Sequence, residues 1–130
     1  MKPIQVGLLG FGTVGLGTYQ VLLRNQEEIR RRAGRGIEIA MVCRRNTALA
    51  QREVGDRVQV VADGREIIAN PSIDIVVELI GGVDTARTLV LEAIAAGKHV
   101  VTANKALLAV HGTEIFGAAR ERGVMVAFEA

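Results

Sequence analysis

The chain has 130 residues, which is enough for one domain whose hydrophobic core needs neither disulfides nor metal ions. Hydrophobic residues make up 49% and charged residues 23%, a composition that excludes a disordered chain. A net charge of +2 and a shortage of aromatic residues (three phenylalanines and one tyrosine) argue against a nucleic-acid partner. Cys43 is the lone cysteine, no apolar run has transmembrane length and no signal peptide opens the chain, so we expect a cytoplasmic protein without membrane contact.

In chain order, short β-branched apolar segments alternate with segments of helical pattern. The strand-like segments, most of them continuously apolar, are Ile4–Leu9, Ile37–Cys43, Ile73–Ile80, His99–Val101 and Val124–Phe128, with Val58–Val61 as a weaker sixth. The helical patterns run from Thr13 to about Arg32, from Asn46 to about Val54, from Asp63 to Asn70, from Asp84 to Gly97 and over Thr113–Arg122. This alternation predicts an α/β fold in one domain over residues 1–130: a doubly wound, mainly parallel sheet of about six strands with helices on both faces.

One dense basic run stands at the end of the first predicted helix. It consists of Arg30, Arg31, Arg32 and Arg35. Cations suit the C-terminal end of a helix, where the macrodipole is negative, so we expect this run to be a solvated helix end.

The first strand leads directly into a glycine-rich loop, Gly10-Phe11-Gly12-Thr13-Val14-Gly15, within which the first helix begins. A G-x-G-x-x-G pattern between a strand and a helix is the Rossmann fingerprint for dinucleotides. Its glycines permit a tight turn, the close approach of backbone to a pyrophosphate, and close packing of helix on strand, while the anion rests on free N–H groups of the helix. A tight turn without a ligand would have the same pattern, but the placement directly after a strand favours a Rossmann-type dinucleotide site.

The residues after the second strand bear on the choice of cofactor. Arg44 and Arg45 follow Cys43, and no acidic residue occurs downstream before Glu53. A carboxylate at this point would bind a free ribose 2′-hydroxyl, whereas a guanidinium pairs with a 2′-phosphate. The sequence therefore predicts NADP as the preferred cofactor, with NAD possible, unless both arginines are ordinary surface charges.

Two further loops follow strands at the edge of the sheet where ligands bind. Paired glycines, Gly81 and Gly82, would leave room for a dinucleotide close to the backbone, or they form a simple loop. Lys105, in the segment Thr102-Ala103-Asn104-Lys105, could face a carboxylate or polarise a carbonyl, or it is an incidental surface lysine beside a helix cap at Asn104. The histidines have no metal-ligand spacing, so no metal site is expected and His99 and His111 are interpreted as strand and loop residues.

These segments resemble the opening of homoserine dehydrogenases. The resemblance lies in three stretches, Ile4–Leu16, Ile73–Gly82 and Gly97–Ala109, and the Thr-Ala-Asn-Lys core of the third is more specific than any glycine loop. It implies NAD(P)-dependent interconversion of homoserine and aspartate 4-semialdehyde, on the route to threonine, isoleucine and methionine. Residues 46–70 contribute little to it.

The resemblance also implies roles for individual residues. Gly10, Phe11, Gly12, Thr13, Val14 and Gly15 match the cofactor loop, and Arg44, with Arg45 beside it, matches the place of the adenosine phosphate. The nicotinamide half matches Gly81, Thr102 and Ala103, and Lys105 matches an active-site lysine beside the hydride-transfer centre. Glu129 matches a glutamate at the border of the substrate and cation site.

The family's catalytic and dimerisation region is expected after residue 130, so we expect this chain to bind nucleotide and to turn over negligibly. The complete enzyme would be a homo-oligomer that acts on a small-molecule substrate. Two alternatives remain: another two-domain oxidoreductase, of the aspartate dehydrogenase or glucose–fructose oxidoreductase type, and a non-catalytic NAD(P)-sensing module. The residues after His99–Val101 favour homoserine dehydrogenase over the glucose–fructose oxidoreductase type. In that type Glu-Lys-Pro usually follows this strand, whereas this chain has Thr-Ala-Asn-Lys.

Overall fold

Strands and helices alternate along the chain as the sequence predicts, except that two helices separate the first two strands, in a computed structural model that describes residues 3–128. The strands are β1 (Ile4–Leu9), β2 (Ile37–Cys43), β3 (Gln59–Val61), β4 (Ile75–Glu78), β5 (His99–Thr102) and β6 (Val126–Phe128). The helices are α1 (Thr13–Arg24), α2 (Gln26–Ala33), α3 (Thr47–Val54), α4 (Gly64–Ala69), α5 (Asp84–Ala95) and α6 (Lys105–Arg122). None of the helices over residues 3–128 combines the length and the apolarity needed to cross a membrane.

The six strands form a single parallel sheet in the order β3-β2-β1-β4-β5-β6. Strand order reverses between β1 and β4, where Leu9 pairs with Glu78 at the last position of both strands. This is the doubly wound Rossmann order, and the predicted fold class is confirmed. In such sheets ligands bind at the strand ends beside this reversal, because the loops there diverge and leave a crevice.

Two hydrophobic clusters cover the two faces of the sheet. Helices α1 and α3 pack on one face through residues such as Tyr19 and Ala50, while α4, α5 and α6 pack on the other through residues such as Ile67, Val90 and Ile115. Side chains alternate along β1, so that Leu8 belongs to the first cluster and its neighbour Leu9 to the second. The continuous apolar strands therefore reflect burial on both faces.

The long first helix of the sequence analysis is divided in two at Asn25. Its backbone leaves the helical region (φ −110°, ψ 16°), and its side-chain Nδ2 donates to the carbonyl of Val21 at 2.8 Å. An asparagine side chain that competes for backbone partners in this way ends a helix. Beyond the break, the arginines of α2 are exposed and pair with Glu27 and Glu28, so the predicted solvated helix end is confirmed.

The last helix begins earlier than predicted, at Lys105 instead of Thr113. The side chain of Asn104 caps it by accepting a hydrogen bond from the amide of Leu107 at 3.0 Å. Its first two turns lack a clear apolar stripe, and packing of the fully buried Leu107 against the sheet determines their structure. The predicted strand over Ile73–Ile80 is likewise shorter, because only Ile75–Glu78 pairs with neighbouring strands.

Candidate functional site

The three glycines of the loop after β1 have different surroundings. Gly10 has φ +100°, and a Cβ there would lie 2.9 Å from the carbonyl oxygen of Leu79. A Cβ at Gly15 would lie 2.9 Å from the carbonyl oxygen of Gly10. A Cβ at Gly12, in contrast, would meet no atom of the described chain within 4 Å. Gly10 and Gly15 therefore serve the turn and the helix packing, and Gly12 leaves open space in front of the helix.

Helix α1 begins at this open space without a side-chain cap. Its N-cap is Gly12, and its first turn holds no acidic residue. Helices α3, α4 and α6, by comparison, have their first amides bound by the side chains of Asn46, Asp63 and Asn104. The uncapped amides of α1 and its positive dipole end favour an anion at this position.

A cleft of about 850 Å³ extends from the glycine loop over the ends of β1, β2 and β4. Its walls come from five places in the sequence: the loop itself, the segment after β2, the start of α4, the residues directly after β4, and the first two turns of α5. The lining residues include Gly12, Arg44, Arg45, Asp63, Arg65 and Thr85. Only the first three of these were predicted, since the approach of α4 and α5 is a consequence of tertiary packing.

Two arginines at the β2 end of this cleft have no ion-pair partner among the described residues. Neither Arg44 nor Arg45 forms an ion pair with any residue that the structure describes, whereas Arg65 is held by Glu92 at 3.1 Å. A carboxylate absent from the sequence prediction, Asp63, also lines the cleft, with Oδ1 accepting from the amide of Arg65 at 3.0 Å. The cleft lining is thus cationic on balance, with three arginines against Asp63 and Asp84, and Asp63 is engaged as a helix cap.

The lone cysteine lies in the same cleft. The Sγ of Cys43 lies 3.6 Å from the carbonyl oxygen of Ala62, to which it donates. Burial raises the pKa of the Cys43 thiol, and the negative charges of Asp63 and Glu66 raise it further. The group is therefore a neutral thiol at physiological pH and forms part of the cleft wall.

A smaller pocket of about 270 Å³ lies at the ends of β4 and β5 and shares one lining residue, Leu79, with the cleft. The structure brings the predicted residues Gly81, Ala103 and Lys105 together here. Lys105 is exposed at the first position of α6. Glu78, which was not predicted as a site residue, also borders this pocket although it is fully buried; an acidic residue at the end of an apolar strand was its only signal.

Some predicted site residues contribute through their backbone or act at a distance from the cleft. The side chain of Phe11 is 1% exposed and packs on Tyr19 in the core, and that of Thr102 is fully buried beneath the smaller pocket. Thr13 and Val14 form the start of α1. Glu129 lies outside the described residues.

The histidines take part in structure at other places. His99 opens β5, where its Nδ1 accepts from the amide of Met125 at 3.0 Å, and His111 lies in α6, not in a loop as predicted. Between residues 3 and 128 no three metal-binding side chains cluster.

Comparisons with known proteins agree with this geometry. A family model described as homoserine dehydrogenase, NAD binding domain, matches residues 10–129. The homoserine dehydrogenase of Pseudomonas aeruginosa is 59% identical over 100% of this chain and 30% of that protein. The one from Neisseria gonorrhoeae is 49% identical over the same shares. The crystal structure of a homoserine dehydrogenase from Thiobacillus denitrificans is 56% identical, with a TM-score of 0.93, over 99% of this chain and 30% of that chain.

The parallel sheet, the glycine loop and the cleft define this chain as a Rossmann-type dinucleotide-binding domain. Its match over residues 10–129 places it more narrowly. The chain belongs to the homoserine dehydrogenase family and corresponds to the NAD-binding domain of that family. It spans about 30% of the length of the relatives described above.

Proposed function

We propose that this domain prefers NADP over NAD and binds it across the reversal of strand order between β1 and β4. The pyrophosphate would rest on the uncapped amides of α1 in front of Gly12, where no side chain intrudes. The observation that carries the preference is the pair Arg44 and Arg45, cationic side chains without an ion-pair partner among residues 3–128 at the cleft end beyond β2. A guanidinium pairs with a 2′-phosphate in two parallel hydrogen bonds.

The nicotinamide half would then extend toward the smaller pocket, which is adjacent to the cleft because Leu79 lines both spaces. Bound there, the nicotinamide supplies hydride transfer to or from the substrate carbon. Lys105, exposed at the mouth of this pocket, would orient the substrate or stabilise charge on its oxygen. Gly81 and Ala103 would offer backbone next to the ring.

As part of a complete enzyme, the domain would serve the interconversion of homoserine and aspartate 4-semialdehyde. Its relatives are homoserine dehydrogenases and are longer than this chain, which supports a further catalytic and dimerisation region after residue 130. Glu129 would lie at the border of the substrate and cation site. We propose a cytoplasmic homo-oligomer for this enzyme.

Titration of the 130-residue chain with NADPH and NADH, followed by nicotinamide fluorescence, tests the cofactor proposal. We expect tighter binding of NADPH. Replacing both arginines (Arg44→Ala with Arg45→Ala) should weaken NADPH binding about tenfold or more, the loss typical of a hydrogen bond to a charged group, and leave NADH within about twofold.

A matched control removes the same charge elsewhere. Arg52→Ala with Arg120→Ala changes two exposed arginines that do not line the cleft, and it should leave both affinities unchanged. An unaltered ratio of NADPH to NADH affinity in the Arg44 and Arg45 variant would refute the preference. Absence of binding for both dinucleotides would refute the site itself.

A further inference from the structure

The carboxylate of Glu78 is fully buried at the end of β4, next to the reversal of strand order. Burial of a carboxylate is costly unless hydrogen bonds replace its hydration. Here each oxygen has a partner: Oε1 accepts from the hydroxyl of Thr102 at 2.6 Å, and Oε2 accepts from the amide of Ile80 at 2.8 Å. The side chain thus joins the end of β4 to the paired end of β5.

The hydrogen bonds continue from Thr102 into the loop that precedes α6. The amide of Asn104 donates to Thr102 Oγ1 at 3.0 Å, and the side-chain amide of Asn104 donates to the carbonyl of Gly82 at 2.5 Å. The same side chain caps α6 through Leu107. The buried carboxylate of Glu78 is therefore part of a hydrogen-bond network that connects the Ile80–Gly82 loop to the segment before Lys105.

The donors in this network require that both terminal atoms of the side chain at position 78 accept hydrogen bonds. The amide of Ile80 can only donate, and the amide of Asn104 uses the Thr102 oxygen as an acceptor, so the one hydroxyl proton of Thr102 is directed to Glu78. A carboxylate satisfies both donors. A glutamine has one acceptor oxygen, and its amide group would face one of the two donors.

The loop that Glu78 anchors has few other restraints of its own. Gly81 and Gly82 have φ +81° and +72°, and a Cβ on either would meet no atom of the described chain within 4 Å. Unpacked glycines lose much conformational freedom when ordered. The bond from Glu78 to Ile80 and the bond from Asn104 to Gly82 provide the order that packing does not.

We propose that Glu78 is a positioning residue for the nicotinamide half of the cofactor site, an inference that rests on the proposed binding mode. It contacts no ligand itself, because its side chain has no exposed surface. It acts through Thr102 and Asn104 on the loops that line the smaller pocket with Gly81 and Lys105. It therefore contributes to affinity for the nicotinamide and leaves the adenosine end, on the other side of the glycine loop, unaffected.

The test compares NADPH with 2′,5′-ADP, which carries the adenosine half alone, in titrations of the 130-residue chain. Glu78→Gln and Thr102→Val should each weaken NADPH binding about tenfold, the loss expected for one hydrogen bond to a charged group, and leave 2′,5′-ADP within about twofold. Thr102→Ser keeps the hydroxyl and should restore NADPH binding. The fluorescence of bound NADPH at saturation should fall in the first two variants, because the ring is held less firmly.

Glu53→Gln is the control, since it makes the same exchange at an exposed residue of α3. Equal weakening of both ligands, or unchanged NADPH binding in folded Glu78→Gln and Thr102→Val chains, would overturn the inference. Circular dichroism establishes whether each variant folds. If Glu78→Gln does not fold, the comparison of Thr102→Val with Thr102→Ser tests the inference. If the unaltered chain binds 2′,5′-ADP and NADPH, the results for the Glu78 and Thr102 variants bear on the role of Glu78 and not on the proposed binding mode. If the unaltered chain binds neither ligand, the proposed binding mode itself is refuted.

Discussion

Gly10 and Gly12 lie two residues apart in one loop, but they differ in backbone conformation and in the space around their Cβ positions. Gly10 adopts a backbone conformation that side chains disfavour, and it touches the carbonyl of Leu79 across the strand reversal. Gly12 has ordinary backbone angles and open space at its Cβ position. The first glycine is thus required by the fold, and we propose that the second is required by the ligand.

Alanine at these two positions should separate stability from binding. Gly10→Ala should lower the free energy of unfolding by about 1–3 kcal/mol, because it strains the backbone and meets a carbonyl oxygen. Gly12→Ala should leave that free energy within about 0.5 kcal/mol, as for an exposed substitution, and weaken NADPH binding at least tenfold. Urea denaturation and fluorescence titration measure the two quantities. Tight NADPH binding by Gly12→Ala would show that the pyrophosphate lies elsewhere.

Among the elements, α5 and α6 are held together by an ion pair at their exposed edge. The guanidinium of Arg87 donates from Nε and Nη2 to the two carboxylate oxygens of Glu114, both at 2.6 Å. His111 Nδ1 lies 3.8 Å from the same carboxylate. The hydrogen bonds from Arg87 lower the pKa of Glu114, with the positive charges of Arg87 and His111 contributing. Such bidentate geometry is favourable even at a surface.

This pKa shift has a defined sign in its effect on stability. A carboxylate with a lower pKa in the folded state stabilises the fold above its ordinary value of 4.5, and the contribution is lost as the pH falls below that value. Glu114→Gln should therefore lower the urea midpoint at about pH 7, and this difference from the unaltered chain should be smaller at about pH 3, because a larger fraction of Glu114 is then protonated. The control, Glu121→Gln, changes an exposed residue of α6 and should not produce this pH-dependent difference. An equal difference at both pH values would contradict the ion-pair explanation.

At the scale of the whole molecule, the two ends of the parallel strands differ: the candidate site lies at the carboxyl ends, and structural hydrogen bonds lie at the opposite end. Every loop that lines the cleft or the smaller pocket leaves the carboxyl end of a strand. The opposite end holds a buried lysine, Lys98, whose Nζ donates to the carbonyls of Asn70 and Ile73 at 2.7 and 2.8 Å. Burial lowers the pKa of Lys98, an effect that the charge of Asp74 partly offsets. This end joins α4 to the start of β5 and takes no part in the site.

We expect the 130-residue chain to bind NADPH and to oxidise homoserine at a negligible rate. Lys105 lines the smaller pocket and is proposed to face one side of the substrate, and this chain spans only 30% of the length of its relatives. Absorbance of NADPH formed from homoserine and NADP measures the rate, with a complete relative as the positive control. Readily measured turnover would show that these residues suffice for catalysis.

Local sequence features determined most of the fold. Strands β1 and β2 match their apolar runs to the residue, because strands buried on both faces need continuous apolar sequence. Asn46 caps α3, and the glycines at positions 97 and 123 adopt positive φ beyond α5 and α6, since caps and turns depend on neighbouring residues only. The division at Asn25 was missed because an asparagine within a helical pattern does not by itself show that its side chain will bind the backbone, as it does here at Val21. The early start of α6 was missed because Leu107 packs in a core cluster whose other members lie far away in the sequence.

For the site, the sequence by itself determined the glycine loop, the two arginines and the loops at residues 81 and 105. These follow strands directly, and parallel strands bring their carboxyl ends to one edge. Only the tertiary structure decided that Asp63 and Arg65 enter the cleft, that Thr102 is buried, and that Glu78 joins two loops. The reason is physical: a hydrogen bond between residues 24 positions apart forms only after β4 and β5 have paired, and no local pattern encodes it.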